Sequence, residues 1–235
     1  MNFRLLLIII LIPFYTFGQE VITSGDALYR TTFSLINGSI MEATIKNSKT
    51  SKSKTSKTKA KIKDLTFERS ENLSKEIQKK IIASMIRIQP ELKGPLVKSF
   101  ENNKLRNQFD RLLAGYNYSA TDMADVVTAY LVISWQIVHN KNFDDKNGFN
   151  AVRTWVRDIL LKSEQLAVMD NATKQLYAKA YGYQTMLCFN SYKTLIAKSD
   201  QKGLDHLRNN LYKSVRDSFI DLKSVKLTHT GFVKI

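Results

Sequence analysis

Two aspartates and two tyrosines near the middle of the chain have residue types and a spacing that could support acid–base chemistry. Asp122 and Asp125 are three positions apart, which places both carboxylates on one face of a helix. Tyr116 and Tyr118 precede them. Paired carboxylates can serve as general acid and general base, and a tyrosine hydroxyl can assist proton transfer. The same carboxylates would also be stabilised simply by facing a helix N-terminus, and we favour this structural interpretation.

The histidines predict no metal site. The chain has three of them, His139, His206 and His229. None has a second ligand at the spacing of a helical zinc motif. Residues 142–148 contain the Asx and glycine residues of a calcium loop, but Phe143 and Thr154 stand where Asp and a bidentate Glu are needed. An Asx-rich turn between helices explains this segment better. We therefore predict no metal ligand, no catalytic residue and no cofactor.

Familiar catalytic motifs are missing from the chain. The sequence contains no G-x-S-x-G elbow, no P-loop and no G-x-G-x-x-G, the usual marks of serine hydrolases and nucleotide-binding enzymes. Its one cysteine, Cys188, stands among apolar residues of a predicted helix. We expect Cys188 to be a small buried hydrophobe rather than a reactive thiol, although a bridge to another chain stays open.

A lysine-rich tract accounts for over half of the net charge of +15. Its eight lysines are Lys46, Lys49, Lys52, Lys54, Lys57, Lys59, Lys61 and Lys63. The residues between them are almost all Ser and Thr, so the tract cannot bury enough apolar surface to offset its ordering entropy. We expect a solvated, self-repelling linker. The alternative is an arm whose lysines, from Lys49 to Lys63, contact a polyanion; the absence of interleaved aromatic residues and arginine disfavours it.

The N-terminus has the pattern of an export signal. Arg4 is followed by an unbroken apolar run from Leu5 to Tyr15. A helix of that length reaches about 16 Å, roughly half of the hydrocarbon core of a bilayer. Thr16 and Gly18 supply small residues where a signal peptidase cleaves. We predict a signal peptide over residues 1–18, export to the periplasm or the exterior, and no transmembrane segment after cleavage.

The rest of the chain reads as helices. Leu73, Ile77, Ile81 and Met85 recur every four residues, with Ser70 as a cap. Pro90 starts a second helix, and Gly115 closes a third in the C′ position. Further helices are predicted over 149–162, 171–198 and about 203–223, and the alternating tail 225–233 is predicted to be extended.

The segment from Thr121 to His139 is predicted to be the central helix. Its apolar residues fall on nearly every face, which is typical of a helix surrounded by others. Ser119 to Asp122 resembles a capping box at its start. We therefore predict an all-α fold with about six or seven helices in a single domain, over residues 64–235, after a flexible region over 19–63.

Several of these segments resemble a family of uncharacterised exported bacterial helical proteins. The resemblance rests on Phe109-Asp-Arg to Gly115-Tyr116, on Asp122-Met-Ala-Asp125 to Ala129-Tyr-Leu-Val-Ile-Ser-Trp135, and on Leu227-Thr228 to Gly231-Phe232. It covers roughly residues 64–235. It implies a single helical domain and export, and it implies no activity, cofactor or partner.

Three functional hypotheses follow. The leading one is a non-catalytic binding or structural module of the cell envelope or exterior, with a protein or an envelope glycan as its partner. The second is a binder of anionic polymers that acts through the lysine-rich tract. The third is an enzyme with its site at Tyr116, Tyr118, Asp122 and Asp125.

Overall fold

The computed structural model of the chain describes residues 64–163 and 169–235. In chain order its α-helices are α1 (Glu71–Ile88), α2 (Lys93–Phe100), α3 (Lys104–Ala114), α4 (Met123–His139), α5 (Lys146–Lys162), α6 (Asn171–Ala197) and α7 (Gln201–Ser218). Short 3₁₀ turns form at Pro90–Leu92, Glu101–Asn103 and Leu222–Ser224. A hairpin of β1 (Val225–Thr228) and β2 (Gly231–Lys234) ends the chain. The predicted all-α, multi-helix fold is confirmed. The predicted signal and the lysine-rich tract lie outside the described residues.

Helix α4 is the centre of the domain, as its composition predicted. Every residue from Met123 to Val138 except Gln136 is buried. Helices α5, α6 and α7 pack around it, and α3 also contacts it. A helix with apolar residues on all sides can be stable in water only when its neighbours cover it, which explains why this segment became the core.

The cap of α4 differs from the predicted capping box. The N-cap is Asp122, whose Oδ1 accepts a hydrogen bond from the Ala124 backbone N–H at 2.8 Å. The helix therefore begins at Met123, two residues later than predicted. Ser119 lies outside the helix and opens the turn before it, where its carbonyl accepts from the Asp122 backbone N–H at 3.2 Å. An aspartate in extended conformation is among the strongest N-caps, so it took the place expected for Ser119.

The end of α3 also differs from the prediction. Gly115 has a right-handed φ of −60°, so it is not the left-handed C′ residue that was expected. The positive φ is at Asn117, at 60°. Asparagine tolerates the left-handed region better than most residues, and the chain reverses there instead.

Helices α1 and α3 both pack against the long helix α6. Ser70 caps α1 as predicted, with its Oγ accepting from the Leu73 N–H at 3.3 Å. The segment before α1 runs beside the start of α4, where the Phe67 N–H donates to the Thr121 carbonyl at 3.0 Å. Three parts of the chain therefore meet along α6 near Gln175 and Lys179: the segment before α1, α1 itself and α3.

The C-terminal part refines two predicted boundaries. Helix α7 ends at Ser218 instead of continuing to 223, and the extended tail forms the antiparallel β1–β2 hairpin. Trp135 fastens the hairpin to the core, because its indole Nε1–H donates to the Val225 carbonyl at 3.1 Å. Within the two described stretches, no helix is both long enough and apolar enough to cross a bilayer.

Candidate functional site

Asp122 is held at the junction of α4 and α5. Its Oδ1 caps α4, and its Oδ2 accepts from Nη1 of Arg157 at 3.0 Å. The Asp122 side chain is only 8% exposed, whereas that of Arg157 is 40% exposed. One carboxylate oxygen thus closes a helix end and the other forms an ion pair with the neighbouring helix.

Asp125 has a comparable set of partners one turn further along. Its Oδ1 accepts a short hydrogen bond from Nε of Arg153, and its Oδ2 accepts from the Ser119 backbone N–H at 2.7 Å. The Asp125 side chain is 2% exposed. Its buried charge is therefore balanced by an arginine and by a turn amide, as buried carboxylates require.

The two predicted tyrosines lie beside this pair but differ in their contacts. Tyr118 donates its hydroxyl to Oδ1 of Asn150 at 3.3 Å, and the Arg153 guanidinium lies 5.2 Å from the centre of its ring. Burial raises the pKa of Tyr118 to about 12. Tyr116 instead stacks on Phe149, with ring centres 4.1 Å apart, and burial raises its pKa as well.

The structure brings the four predicted residues to one end of α4, and Arg153 and Arg157 join them there. Sequence reasoning missed these two arginines. They are four residues apart on one face of α5. The two aspartates are three residues apart at the start of α4, so each arginine can reach one aspartate across the interface. The two ion pairs lie side by side between the helices and hold α5 against the first turn of α4.

The other residues considered for chemistry do not converge. His139 Nε2 lies 2.9 Å from the Leu222 carbonyl, and His206 Nε2 lies 3.0 Å from the Asn210 amide nitrogen. Among the residues with described positions, no group of three or more His, Cys, Asp or Glu side chains could hold a metal ion. Cys188 is buried, and burial raises the pKa of its thiol to about 12.

A second polar cluster, which sequence reasoning did not identify, surrounds a small recess between the start of α1, α3 and α6. Arg69 forms a two-pronged ion pair with Asp110, at 2.8 Å and 3.1 Å. Nη1 of Arg106 lies 2.7 Å from Oε2 of Glu71. The recess is also lined by Lys179 and by apolar side chains, including Phe67, Phe109 and Ala178. Its free volume is about 20 Å³.

Lys179 is the partly buried lysine of this cluster. Its ammonium donates to the Ser74 carbonyl at 3.1 Å and to the Tyr183 hydroxyl at 2.9 Å. The hydroxyl in turn donates to Oε1 of Gln78 at 3.0 Å. Burial, together with the positive charges of Arg106 and Arg69, lowers the pKa of Lys179 to about 8. Its place between Tyr177 and Ala180, two positions on the predicted apolar side of this helix, was the signal that could have revealed it.

The class of protein that these features define is an all-helical domain with a buried central helix and two ion-pair clusters. The chain belongs to a family of unknown function, DUF6683, whose model matches residues 29–234. The match includes residues 29–63, which we assigned to a flexible region. A search of curated proteins finds no match, and neither does a search of solved structures.

Proposed function

We propose that this chain is an exported bacterial protein that acts as a non-catalytic binding module of the cell envelope or exterior. The observation that supports a binding role over catalysis is the engagement of both candidate carboxylates. Asp122 and Asp125 each pair with an arginine and accept from a backbone amide. A general acid or base has to exchange its proton with a substrate, and these oxygens already serve the fold.

Export is tested at the N-terminus of the protein. Mass spectrometry of the protein recovered from the periplasm or medium should find a chain that begins at Gln19, since cleavage after Gly18 is what the signal pattern predicts. An exported fraction that still begins at Met1 would refute the assignment of a cleaved signal.

The binding role is tested with the whole exported chain. Immobilised protein should retain an envelope glycan, with isolated peptidoglycan fragments as the probe. The same protein is also assayed for turnover of these fragments by chromatography. Retention without turnover supports the proposal; turnover without stable retention reverses it in favour of the enzyme hypothesis.

A second candidate, binding of anionic polymers, is favoured by the eight lysines between positions 46 and 63. Binding through these charges should weaken steeply with added salt, because each neutralised anion releases a counterion. Lipopolysaccharide and teichoic acid are the probes. Replacing all eight lysines with Gln should abolish binding, whereas replacing them with Arg should preserve it. Binding that is indifferent to salt would exclude this mode.

A further inference from the structure

The recess beside α6 has more positive than negative charge. Three cations, Arg69, Arg106 and Lys179, line it, and they face two carboxylates, Asp110 and Glu71. The cluster therefore has an excess of one positive charge. Its arginine side chains are largely covered, at 23% and 20% exposed, so solvent screens this charge less than it would on an open surface.

Some of the donors in this cluster remain unused. Nε of Arg106 is buried and has no hydrogen-bond partner within the described part of the chain. The nearest carboxylate oxygen, Oδ2 of Asp110, is 4.0 Å away, which is too far for a hydrogen bond. A buried donor without an acceptor is unfavourable, and such a group in a native structure needs an explanation, for example an ordered water or a bound ion.

Lys179 adds a further donor to the lining of the recess, from α6. An ammonium has three N–H groups, and its hydrogen bonds to Ser74 and Tyr183 use two of them. The third is not used by any residue in the described ranges. Arg106 has five N–H groups, and its bond to Glu71 uses one of them, so an acceptor at the recess would lie between donors of α3 and of α6.

The size and lining of the recess restrict what can enter. The free volume of about 20 Å³ has room for about one water-sized group, so a single ligand oxygen can enter and the rest of the ligand must stay outside. Phe67, Phe109 and Ala178 provide an apolar wall next to the charged groups. A single excess positive charge matches a monoanion better than a phosphate dianion. The flat guanidinium is the group that best matches a planar carboxylate.

We propose that this recess binds one carboxylate oxygen of a ligand whose remaining part lies outside it, either a small organic acid or the C-terminus of a peptide. This inference rests on the proposed binding function and specifies the ligand chemistry for it. The carboxylate would accept hydrogen bonds from Arg106 and Lys179 and would neutralise the excess charge of the cluster.

The test is a titration of the exported chain at pH 7 by NMR, with propionate, propionamide, phosphate and N-acetylalanine as separate probes. Propionate should bind saturably and at least about tenfold more tightly than the uncharged amide, because charge-assisted hydrogen bonds exceed neutral ones in strength. N-acetylalanine that binds more tightly than propionate identifies the peptide terminus as the source, and the reverse order identifies a free acid. Equal binding of propionate and propionamide, or tighter binding of phosphate, would overturn the inference.

Two variants locate the site. Arg106→Gln should weaken propionate binding about tenfold or more, through loss of a charged donor. Arg216→Gln removes an arginine from an exposed carboxylate pair on α7 and should leave propionate binding unchanged. If Arg106→Gln unfolds the chain, Lys179→Gln is the substitute. Equal loss of propionate binding in Arg106→Gln and Arg216→Gln contradicts the assigned position.

The outcome separates this inference from the proposed function. If wild-type protein and Arg106→Gln retain peptidoglycan fragments equally well and propionate does not bind, the binding function stands and the carboxylate site is refuted. If propionate binds but no envelope component is retained, the site stands and the envelope role fails.

Discussion

Nη1 of Arg157 lies 3.0 Å from Oδ2 of Asp122, the residue that caps the central helix. This contact joins α5 to the first turn of α4 and gives Asp122 two roles, as a cap and as an ion-pair partner. The roles can be separated because Asn is as good an N-cap as Asp but has no charge.

Asp122→Asn should therefore destabilise the protein less than Asp122→Ala. We expect a loss of about 1 kcal/mol in the free energy of unfolding for Asn, since Arg157 is partly exposed. We expect about 2–3 kcal/mol for Ala, which also removes the cap and leaves buried N–H groups unpaired. Urea denaturation measures both.

Asp158, which is exposed on α5, supplies the control. Asp158→Ala should change the free energy of unfolding by no more than about 0.5 kcal/mol. Equal stability of Asp122→Asn and Asp122→Ala would show that the helix cap contributes nothing. An Asp122→Asn variant that folds normally but loses a measured turnover would instead support the enzyme hypothesis.

Gly148 allows α5 to pack closely against the C-terminal hairpin. A Cβ at this position would lie 2.4 Å from the Thr228 carbonyl oxygen and 2.4 Å from the ring of Phe143. Gly148→Ala should therefore destabilise the protein by about 2 kcal/mol or more, through forced displacement of a packed element.

Gly94 is the matched control, because a Cβ there would meet no atom within 4 Å. Gly94→Ala should leave the thermal midpoint within a few degrees of wild type, as expected of a change of about 0.5 kcal/mol or less. A larger loss of stability in Gly94→Ala than in Gly148→Ala would refute the close approach of the hairpin to Gly148.

Lys179 should make stability depend on pH in the alkaline range. Its pKa is about 8 in the folded protein, against 10.5 for an unperturbed lysine. Between these values the unfolded chain binds a proton that the folded chain does not, so this group makes the free energy of unfolding rise as pH increases from 8 to about 10. We expect a rise on the order of 1–3 kcal/mol.

The reference protein is Lys179→Met. The difference in free energy of unfolding between wild type and Lys179→Met cancels the contribution of every other group whose titration the substitution leaves unchanged. Both proteins keep the charged neighbours of this position and its hydrogen-bond partner Tyr183; the charged neighbours are Arg69, Glu71, Arg106 and Asp110. Urea denaturation at pH 7, 8, 9 and 10 gives the profile. A difference that stays constant with pH would show that the pKa of Lys179 is not lowered.

Cys188 should react with thiol reagents only when the protein unfolds. Burial covers the sulfur and raises its pKa to about 12, so the reactive thiolate is scarce at pH 8. Labelling with a disulfide reagent should be very slow in the native protein and complete within minutes in guanidinium chloride.

An Asp158→Cys variant in a Cys188→Ala background is the positive control, since it places a thiol on the surface of α5. It should react quickly without denaturant. Rapid native labelling of Cys188, or a dimer that a reductant separates, would contradict its assignment as a packing residue.

The amino-acid pattern alone was sufficient for the helical class and for the identity of the central helix. Apolar residues at helical spacing report which faces must be covered, and α4 is apolar on so many faces that only a central position suits it. Local caps were predicted less well: Ser70 was correct, but Asp122 replaced Ser119, because several polar residues in one turn compete for the same backbone amides.

The sequence also brought attention to Tyr116, Tyr118, Asp122 and Asp125, which do lie together, because they are neighbours along the chain. It could not reveal what balances their charge or which lysine lies beside the recess. Arg153 pairs with Asp125 only after α5 has packed against α4. Likewise, the tertiary fold is what brings Arg69, Arg106 and Lys179 together from distant parts of the chain. Helical periodicity determines which residues are buried within each helix, whereas the choice of partner across an interface depends on packing between helices, and that was decided only by the tertiary structure.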